Sequence, residues 1–173
     1  MRAETFWRVI VADDADFLGR FLTGLSSRGI RYCVLGGQGV NAYVDPVVSL
    51  DLDLVIAVEQ RAEVEDWLRR EFHVESFPHS LNVSAAGSDL RIQLQTDPRY
   101  APLVQRATER DVLGHRLPVA TLEDVLQGKL WAAADGTRRS SKRQKDLADI
   151  ARLIEAYPQL RRQVPDEILA KLL

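Results

Sequence analysis

Two aspartates are the residues of this chain best placed to do chemistry. Asp51 and Asp53 stand in the stretch Leu-Asp-Leu-Asp-Leu-Val over residues 50–55. Alternate side chains of a β-strand point to the same face, so the two carboxylates would project together. Adjacent carboxylates repel each other unless a cation or a proton relieves the charge. The pair therefore predicts a divalent metal site, with Mg²⁺ or Mn²⁺ held by Asp51 and Asp53. The structural alternative is a strand with one wet face, where any polar residue would serve.

A glycine-rich turn precedes the aspartates. Gly36 and Gly37 follow the apolar run Tyr32-Cys33-Val34-Leu35 and precede a short predicted helix over residues 38–43. Glycine allows backbone N–H groups to approach a phosphate closely. A glycine pair alone is usually a tight turn, but its position upstream of the aspartates favours a site for a nucleoside triphosphate with its metal.

The elements that must position these residues alternate between strands and helices. Strands are predicted over residues 32–35, 50–58, 73–77, 81–85, 90–95 and 112–117, the last interrupted by Gly114 and stopped by Pro118. Helices are predicted from Asp13 or Asp14 to residue 28 and over 38–43, 60–71, 122–134 and 142–156, with shorter ones over 159–163 and 166–172. This order predicts an α+β fold, a mixed sheet flanked by helices. We expect a sheet-containing core over residues 1–120 and a C-terminal helical segment over 121–173 that packs on it.

Bulk composition is that of an ordinary globular domain. The 173 residues carry a net charge of −2, so no global field attracts the chain to nucleic acid. Cys33 is the only cysteine, which excludes an intramolecular disulfide and a cysteine-based zinc cluster. The N-terminus lacks a signal-peptide core, and no run approaches the roughly 20 apolar residues of a membrane span. We expect a cytoplasmic protein without a membrane partner.

The combined motif resembles the nucleotidyltransferase superfamily typified by DNA polymerase β. Gly36-Gly37, a short helix and then Ser49-x-Asp51-x-Asp53 are similar in particular to the AbiEii and AbiGii toxins of abortive-infection and toxin–antitoxin systems. The C-terminal half agrees, with Lys129 on a helix followed by the run Arg-Gln-Lys-Asp-Leu-Ala-Asp over residues 143–149. The resemblance spans roughly residues 32–155 and is more specific for the fold than for the substrate.

That resemblance implies a role for each matching residue. Gly36, Gly37 and Gln38 would bind the triphosphate, with Ser49 in the place of the family's Ser or Thr. Asp51 and Asp53 would hold the catalytic metal. The implied contributors from the C-terminal half are Lys129 for catalysis and Lys145 and Asp146 for the nucleotide. The implied reaction moves a nucleoside monophosphate from an NTP to a hydroxyl of an RNA such as tRNA, or of a protein. A cognate antitoxin or toxin protein would be the partner.

The chain departs from the family where a third carboxylate is expected. Gln93 stands there, and glutamine is a poor metal ligand and no base. Asp89 and Asp97 flank that strand and could substitute. The arginine often found before the aspartate pair is replaced by Val47-Val48. These departures keep a second hypothesis open, namely a catalytically degenerate nucleotide-binding or antitoxin-like interaction protein.

The C-terminal residues also have structural alternatives. The stem of Lys129 could run along an apolar helix face. Asp146 and Asp149 could complement a helix start and form an ion pair. The basic run over residues 138–145 could be a solvated loop, or it could grip a triphosphate or an RNA backbone.

Overall fold

A seven-stranded mixed sheet forms the centre of the computed structural model, which describes residues 16–172. The strands are β1 (Tyr32–Leu35), β2 (Asp51–Ile56), β3 (His73–Phe77), β4 (Ser80–Ser84), β5 (Arg91–Gln95), β6 (Thr108–Val112) and β7 (His115–Val119). Their spatial order is β3-β4-β5-β2-β1-β7-β6. β2 runs parallel to β5 and β1 to β7, whereas the other neighbours are antiparallel. The predicted α+β class with a mixed sheet is confirmed.

Helices flank both faces of this sheet. Within residues 16–172 they are α1 (Phe17–Ser27), α2 (Gly36–Asn41), α3 (Arg61–Glu71), α4 (Ala101–Arg106), α5 (Leu122–Ala134), α6 (Ser140–Ala156) and α7 (Asp166–Leu169). The predicted start of α5 is confirmed, because Thr121 Oγ1 accepts a hydrogen bond from the Asp124 backbone N–H at 3.2 Å. The predicted caps Asp13 and Asp14 lie outside the described residues.

The two faces of the sheet are covered differently. The apolar residues of β2, β4 and β5 that point to one face are buried against α1 and α3, whose contributions include Phe21 and Trp67. On the other face, Cys33, Leu35 and Val55 pack against α5, α6 and α7. The side chains that β3, β4 and β5 send to this second face are half-buried or exposed. The described helices thus leave half of the second face open.

One predicted strand is wrong. Residues 112–117 do not form a single strand, because Leu113 and Gly114 turn the chain back between β6 and β7. Both residues have positive φ, +52° and +82°. Positive φ at both central residues is the requirement of the two-residue hairpin turn that suits strand twist. Gly114 marks an interruption in the sequence, but the leucine before it gives no turn signal of its own, so the hairpin is not evident. Pro118, expected to stop the strand, lies within β7.

Smaller differences concern ends of elements. The helix predicted over residues 38–43 begins at Gly36, because the glycines themselves form its first turn. The short helix α4 and the strand β6 were not predicted. None of the helices over residues 16–172 combines the length and the apolar character that a membrane crossing requires.

Candidate active site

Asp51 and Asp53 lie on the same face of β2, between β1 and β5. Leu52 and Leu54 point the opposite way and are fully buried, which fixes the face that carries the carboxylates. Burial raises the pKa of Asp53; Lys129 opposes this rise and Asp51 adds to it. The pair therefore concentrates negative charge that a bound cation would stabilise.

Gly36 brings the backbone directly against Asp53. Its φ is +62°, in the left-handed region. A Cβ at residue 36 would overlap Asp53 Oδ2 and lie 2.7 Å from Asp53 Cγ. At Gly37, by contrast, the nearest atom to an added Cβ would be Ser49 Oγ at 3.7 Å, an ordinary contact. Of these two glycines, only Gly36 stands where the structure leaves no room for a side chain.

Gln38 and Ser49 are buried side chains that shape the approach to β2. Gln38 Nε2 donates to the Ser49 carbonyl at 3.1 Å, and Gln38 Oε1 accepts from Asn41 Nδ2 at 3.3 Å. Ser49 Oγ lies 3.4 Å from the Asp51 backbone N. Gln38 and Ser49, two of the predicted nucleotide-binding residues, thus form hydrogen bonds that fix the segment leading into Asp51.

Gln93 lies beside Asp53 on the neighbouring parallel strand, at the position where the family resemblance places the third carboxylate. Neither flanking acid replaces it. Asp97 interacts with Arg99 instead. Asp97 Oδ1 accepts a hydrogen bond from the Arg99 backbone N–H at 3.0 Å, and Asp97 Oδ2 lies 3.2 Å from Arg99 Nε. Asp89 is exposed in the loop before β5. Among residues 16–172, no three acidic, histidine or cysteine side chains gather into a possible metal site.

The two carboxylates nevertheless fit Mg²⁺. This ion is usually held by one or two carboxylates together with substrate phosphates, so Asp51 and Asp53 suffice as protein ligands. In the structure Asp51 already faces two cations: its Oδ1 lies 2.9 Å from Arg91 Nε, and its Oδ2 lies 3.7 Å from Lys142 Nζ. Sequence reasoning did not single out Arg91. Its position two residues before Gln93, on the strand expected to carry the third carboxylate, was the available signal.

Lys129 is buried between two aspartates. Its Nζ lies 3.0 Å from Asp146 Oδ1 and 2.7 Å from Asp149 Oδ2, and the residue is only 7% exposed. Burial lowers the pKa of Lys129, but Asp149 and Asp146 outweigh it and the net pKa is raised. The amine is therefore charged and held within the protein, and the stem does not carry it out to solvent.

These ion pairs belong to a longer series that we name the buried charge chain: Arg138, Asp146, Lys129, Asp149 and Arg152. Arg138 Nε donates to Asp146 Oδ2 at 2.7 Å, and Arg152 Nη1 donates to Asp149 Oδ1 at 2.8 Å. The other nitrogen, Arg152 Nη2, donates to the Asp45 carbonyl at 2.6 Å. The chain of charges ties α5 and α6 to the loop after α2.

The other predicted residues of the C-terminal half differ in whether they reach the site. Lys145, a predicted nucleotide-binding residue, is exposed on α6 and lines neither cavity beside the aspartate pair. Asp146 is the seventh residue of α6, beyond the first turn, so helix-start charge does not explain it. The basic run is not a uniform solvated loop, because Arg138 and Lys142 both reach the site.

Two cavities meet at Gln93. The first, which we name the glycine cavity, measures about 120 Å³ and is bordered by Gly36, Asp53, Lys129 and Arg138. The second, the sheet cavity, measures about 240 Å³ and lies on the Asp51 side, over the open half of the second face. The aspartate pair thus lies between two cavities that each carry two cations, Lys129 and Arg138 in the glycine cavity and Arg91 and Lys142 in the sheet cavity.

The sequence over residues 36–173 matches the family described as the nucleotidyl transferase AbiEii toxin of a type IV toxin–antitoxin system. The chain belongs to the AbiEii family. The matched region begins at Gly36 and contains the aspartate pair, Gln93 and the whole buried charge chain. The predicted resemblance is confirmed. No protein with a curated description matches the chain.

Solved structures share the fold of this AbiEii-family chain. The solution structure of the antibiotic-resistance factor ANT(2'')-Ia aligns with a TM-score of 0.55 at 13% identity, over 84% of this chain and 90% of that one. The lincosamide antibiotic adenylyltransferase LnuA gives 0.53 at 13% identity, over 79% and 95%. An antigenic nucleotidyltransferase-like protein from Paracoccidioides brasiliensis gives 0.51 at 21% identity, over 88% and 75%. These similarities establish the nucleotidyltransferase fold.

Proposed function

We propose that this AbiEii-family chain transfers a nucleoside monophosphate from an NTP to a hydroxyl group of an acceptor, with Mg²⁺ as cofactor. The observation that carries the proposal is the aspartate pair of β2 facing Gly36, with Gln93 alongside. Family membership supports the same reaction class and a toxin role.

Each residue near the pair has a physical task in this reaction. Asp51 and Asp53 would hold Mg²⁺, which offsets negative charge on the phosphates when bound. Gly36 leaves room at Asp53, and Arg138 and Lys129 make the glycine cavity favourable for a triphosphate. The acceptor oxygen forms a bond to the α-phosphorus while the bond from that phosphorus to the bridging oxygen breaks, pyrophosphate leaves, and the hydroxyl proton passes to solvent because Gln93 cannot accept it.

The acceptor is proposed to be an RNA such as tRNA, or a protein, as family membership suggests for a toxin. The proposed partner is a cognate antitoxin. Localisation in the cytoplasm is part of the same proposal, since both kinds of acceptor are found there.

Labelled nucleotides test the proposal. The protein is incubated with each α-labelled NTP, Mg²⁺ and cell extract, and labelled macromolecules are resolved by electrophoresis. We expect a product with the wild type and at least a hundredfold less with Asp53→Asn, because the substitution removes a metal-binding carboxylate. Asp111→Asn, at a side chain 79% exposed on β6, is the matched control. Equal labelling by the wild type and Asp53→Asn would contradict the proposal.

Gln93 favours a second candidate, a nucleotide-binding protein without turnover. Because Gln93 cannot accept a proton, the site lacks a carboxylate base at this position. Calorimetry with each NTP and Mg²⁺ separates the two functions. Binding with no labelled product would support this second candidate, and absence of binding would reject both.

A further inference from the structure

A polar surface extends from the aspartate pair across the open half of the sheet. We name it the polar floor. It consists of two rows that run across β3, β4, β5 and β2, and each row ends at one aspartate. The first row is Glu75, Asn82, Gln93 and Asp53. The second row is His73, Ser84, Arg91 and Asp51. Ser84 and Arg91 lie next to each other in this row because each directly neighbours a member of the paired residues Val83 and Ile92. At about 4.8 Å per strand, the floor is about 14 Å wide.

The polar floor arises because side chains alternate along β4 and β5, and the described helices cover only one face of these two strands. On β4 and β5, the intervening residues Leu81, Val83, Ile92 and Leu94 point the other way and are buried. Every member of the two rows except Asp53 lines the sheet cavity. A surface of this size whose side chains are all polar is suited to a hydrated, hydrogen-bonding ligand.

The direction of transfer places an acceptor on this floor. The attacking and leaving oxygens lie roughly in line at the phosphorus, so the acceptor enters opposite the pyrophosphate. The proposed function places the triphosphate at the glycine turn, in the glycine cavity with Lys129 and Arg138. The acceptor then approaches from the other side of the aspartate pair, which is the sheet cavity.

Two cations on this side are available to a ligand. Arg91 and Lys142 both face Asp51, but their side chains are 66% and 45% exposed. Ion pairs this exposed contribute only about 0–1 kcal/mol, so either cation can turn to a stronger partner. The planar guanidinium of Arg91 matches the geometry of a phosphate group. The floor therefore carries a ready anion contact close to the attacked position.

The neutral part of the floor suits hydroxyl groups. Asn82 and Gln93 each present an amide that can donate and accept, and Ser84 adds a hydroxyl. Asn82 Oδ1 is buried and has no hydrogen-bond partner within the described part of the chain. Buried polar atoms without partners are rare, and a small rotation of the Asn82 amide towards the cavity would let a ligand hydroxyl supply the missing donor. The described lining of the sheet cavity contains no Phe, Tyr or Trp on which a base could stack.

We propose that the sheet cavity is the acceptor site and that its ligand is a phosphorylated sugar, either free or as part of an RNA strand. Arg91 and Lys142 bind the phosphate, and Asn82 and Gln93 bind sugar hydroxyls. This inference rests on the proposed function and adds the acceptor's place and chemistry to it.

Side-chain amide signals in NMR spectra of the ¹⁵N-labelled full chain test the proposal. Asn82 reports on the floor, Gln95 reports on the glycine cavity, and Gln93 lines both, so its signal is followed with the ATP analogue already bound. Ribose 5-phosphate, ribose and a tetra-uridylate are titrated separately with Mg²⁺ and a non-hydrolysable ATP analogue present. We expect ribose 5-phosphate to shift the Asn82 and Gln93 signals and to bind at least tenfold more tightly than ribose. If the tetra-uridylate binds more tightly than ribose 5-phosphate, the ligand is a phosphorylated sugar of an RNA strand. If it binds equally or more weakly, the ligand is a free sugar phosphate.

Variants make the test specific. Arg91→Gln should weaken ribose 5-phosphate binding about tenfold or more, as expected for loss of a charged hydrogen bond. Lys142→Gln should weaken it as well, and Arg116→Gln, at the far end of the sheet, should leave it unchanged. Unmoved Asn82 and Gln93 signals with the ATP analogue bound, or full binding by folded Arg91→Gln, would overturn the acceptor site. If ribose 5-phosphate shifts the Asn82 signal but the ATP analogue does not shift the Gln95 signal, the acceptor site is supported and the proposed function is contradicted.

Discussion

At the scale of single residues, the two adjacent glycines have opposite structural requirements. Gly36→Ala should destabilise the protein, because a left-handed conformation costs a non-glycine residue about 1–2 kcal/mol and its Cβ would overlap Asp53. Gly37→Ala should stabilise it by about 0.4–1 kcal/mol, because this helical position has room for a Cβ. Thermal unfolding checks both signs, with about 2–4 °C of Tm for each kcal/mol.

Nucleotide binding by the same two variants separates stability from function. We expect both alanines to weaken binding of ATP with Mg²⁺ in calorimetry, Gly36→Ala by moving Asp53 and Gly37→Ala by keeping phosphate away from the backbone. Gly37→Ala with unchanged affinity would remove Gly37 from the triphosphate site without affecting the argument for Gly36.

Asp53 should reduce the stability of the metal-free protein at neutral and alkaline pH. Burial raises the pKa of Asp53, so the folded state holds this proton more tightly than the unfolded chain does. The free energy of unfolding therefore falls as the pH rises from the ordinary aspartate pKa, about 3.9, through the raised pKa of the folded state. Above that range the loss is complete.

Asp53→Asn avoids this loss because asparagine does not ionise. In EDTA, its Tm should exceed that of the wild type at pH 8, and the difference should shrink towards pH 4. Excess Mg²⁺ with ATP should narrow the gap at pH 8, since only the wild type gains from binding. A lower Tm for the variant at pH 8 in EDTA would show that the cations around Asp53 outweigh its burial.

At the scale of elements, the buried charge chain fixes α5 against α6. Lys129→Ala would remove the cation that Asp146 and Asp149 share and leave each buried carboxylate with one arginine, and losing a partner of a buried pair costs up to about 3–5 kcal/mol. Urea denaturation measures the loss. Lys145→Met, an exposed lysine of the same helix, should change stability by less than about 0.5 kcal/mol.

A hydrophobic replacement of the same lysine tests the cause. Lys129→Met keeps most of the packing of the lysine stem and removes only the charge, so it should be about as unstable as Lys129→Ala if the lost ion pairs are the cause. Recovery of most of the stability by Lys129→Met would show that packing of the stem explains the loss instead of charge.

The sequence predicts elements well where pattern and packing agree. Helix α5 was predicted with both ends correct, because Thr121 gives a capping signal and its apolar residues recur at helical spacing. The β6–β7 hairpin was missed, because its turn depends on a leucine at positive φ. Gln93 could be placed at the third-carboxylate position only through the resemblance to the family, and the pairing of Lys129 with two aspartates depends on how α5 and α6 pack.

At the scale of the whole molecule, the site draws on both parts of the chain. The sheet supplies the aspartates, and the segment after residue 120 supplies Lys129, Arg138 and Lys142. The sequence indicates both parts but not their contacts, since those contacts depend on tertiary packing. Within residues 16–172 the same packing leaves half of the second sheet face uncovered; the alternation of β4 and β5 indicates that one face is polar, but not that no helix covers it.

Because the C-terminal helices cover Cys33, Leu35 and Val55, we expect residues 1–120 alone not to form the native core. Cys33 is the chain's only cysteine and a direct probe of this. Burial raises its pKa to about 12, so in the full chain the thiol should react very slowly with a thiol-specific reagent at pH 8. In a chain ending at residue 120, Cys33 should react at close to the rate of the urea-unfolded protein. Protection of Cys33 in that fragment would show that the sheet with α1 and α3 folds independently, and that the C-terminal helices complete the site without holding the core together.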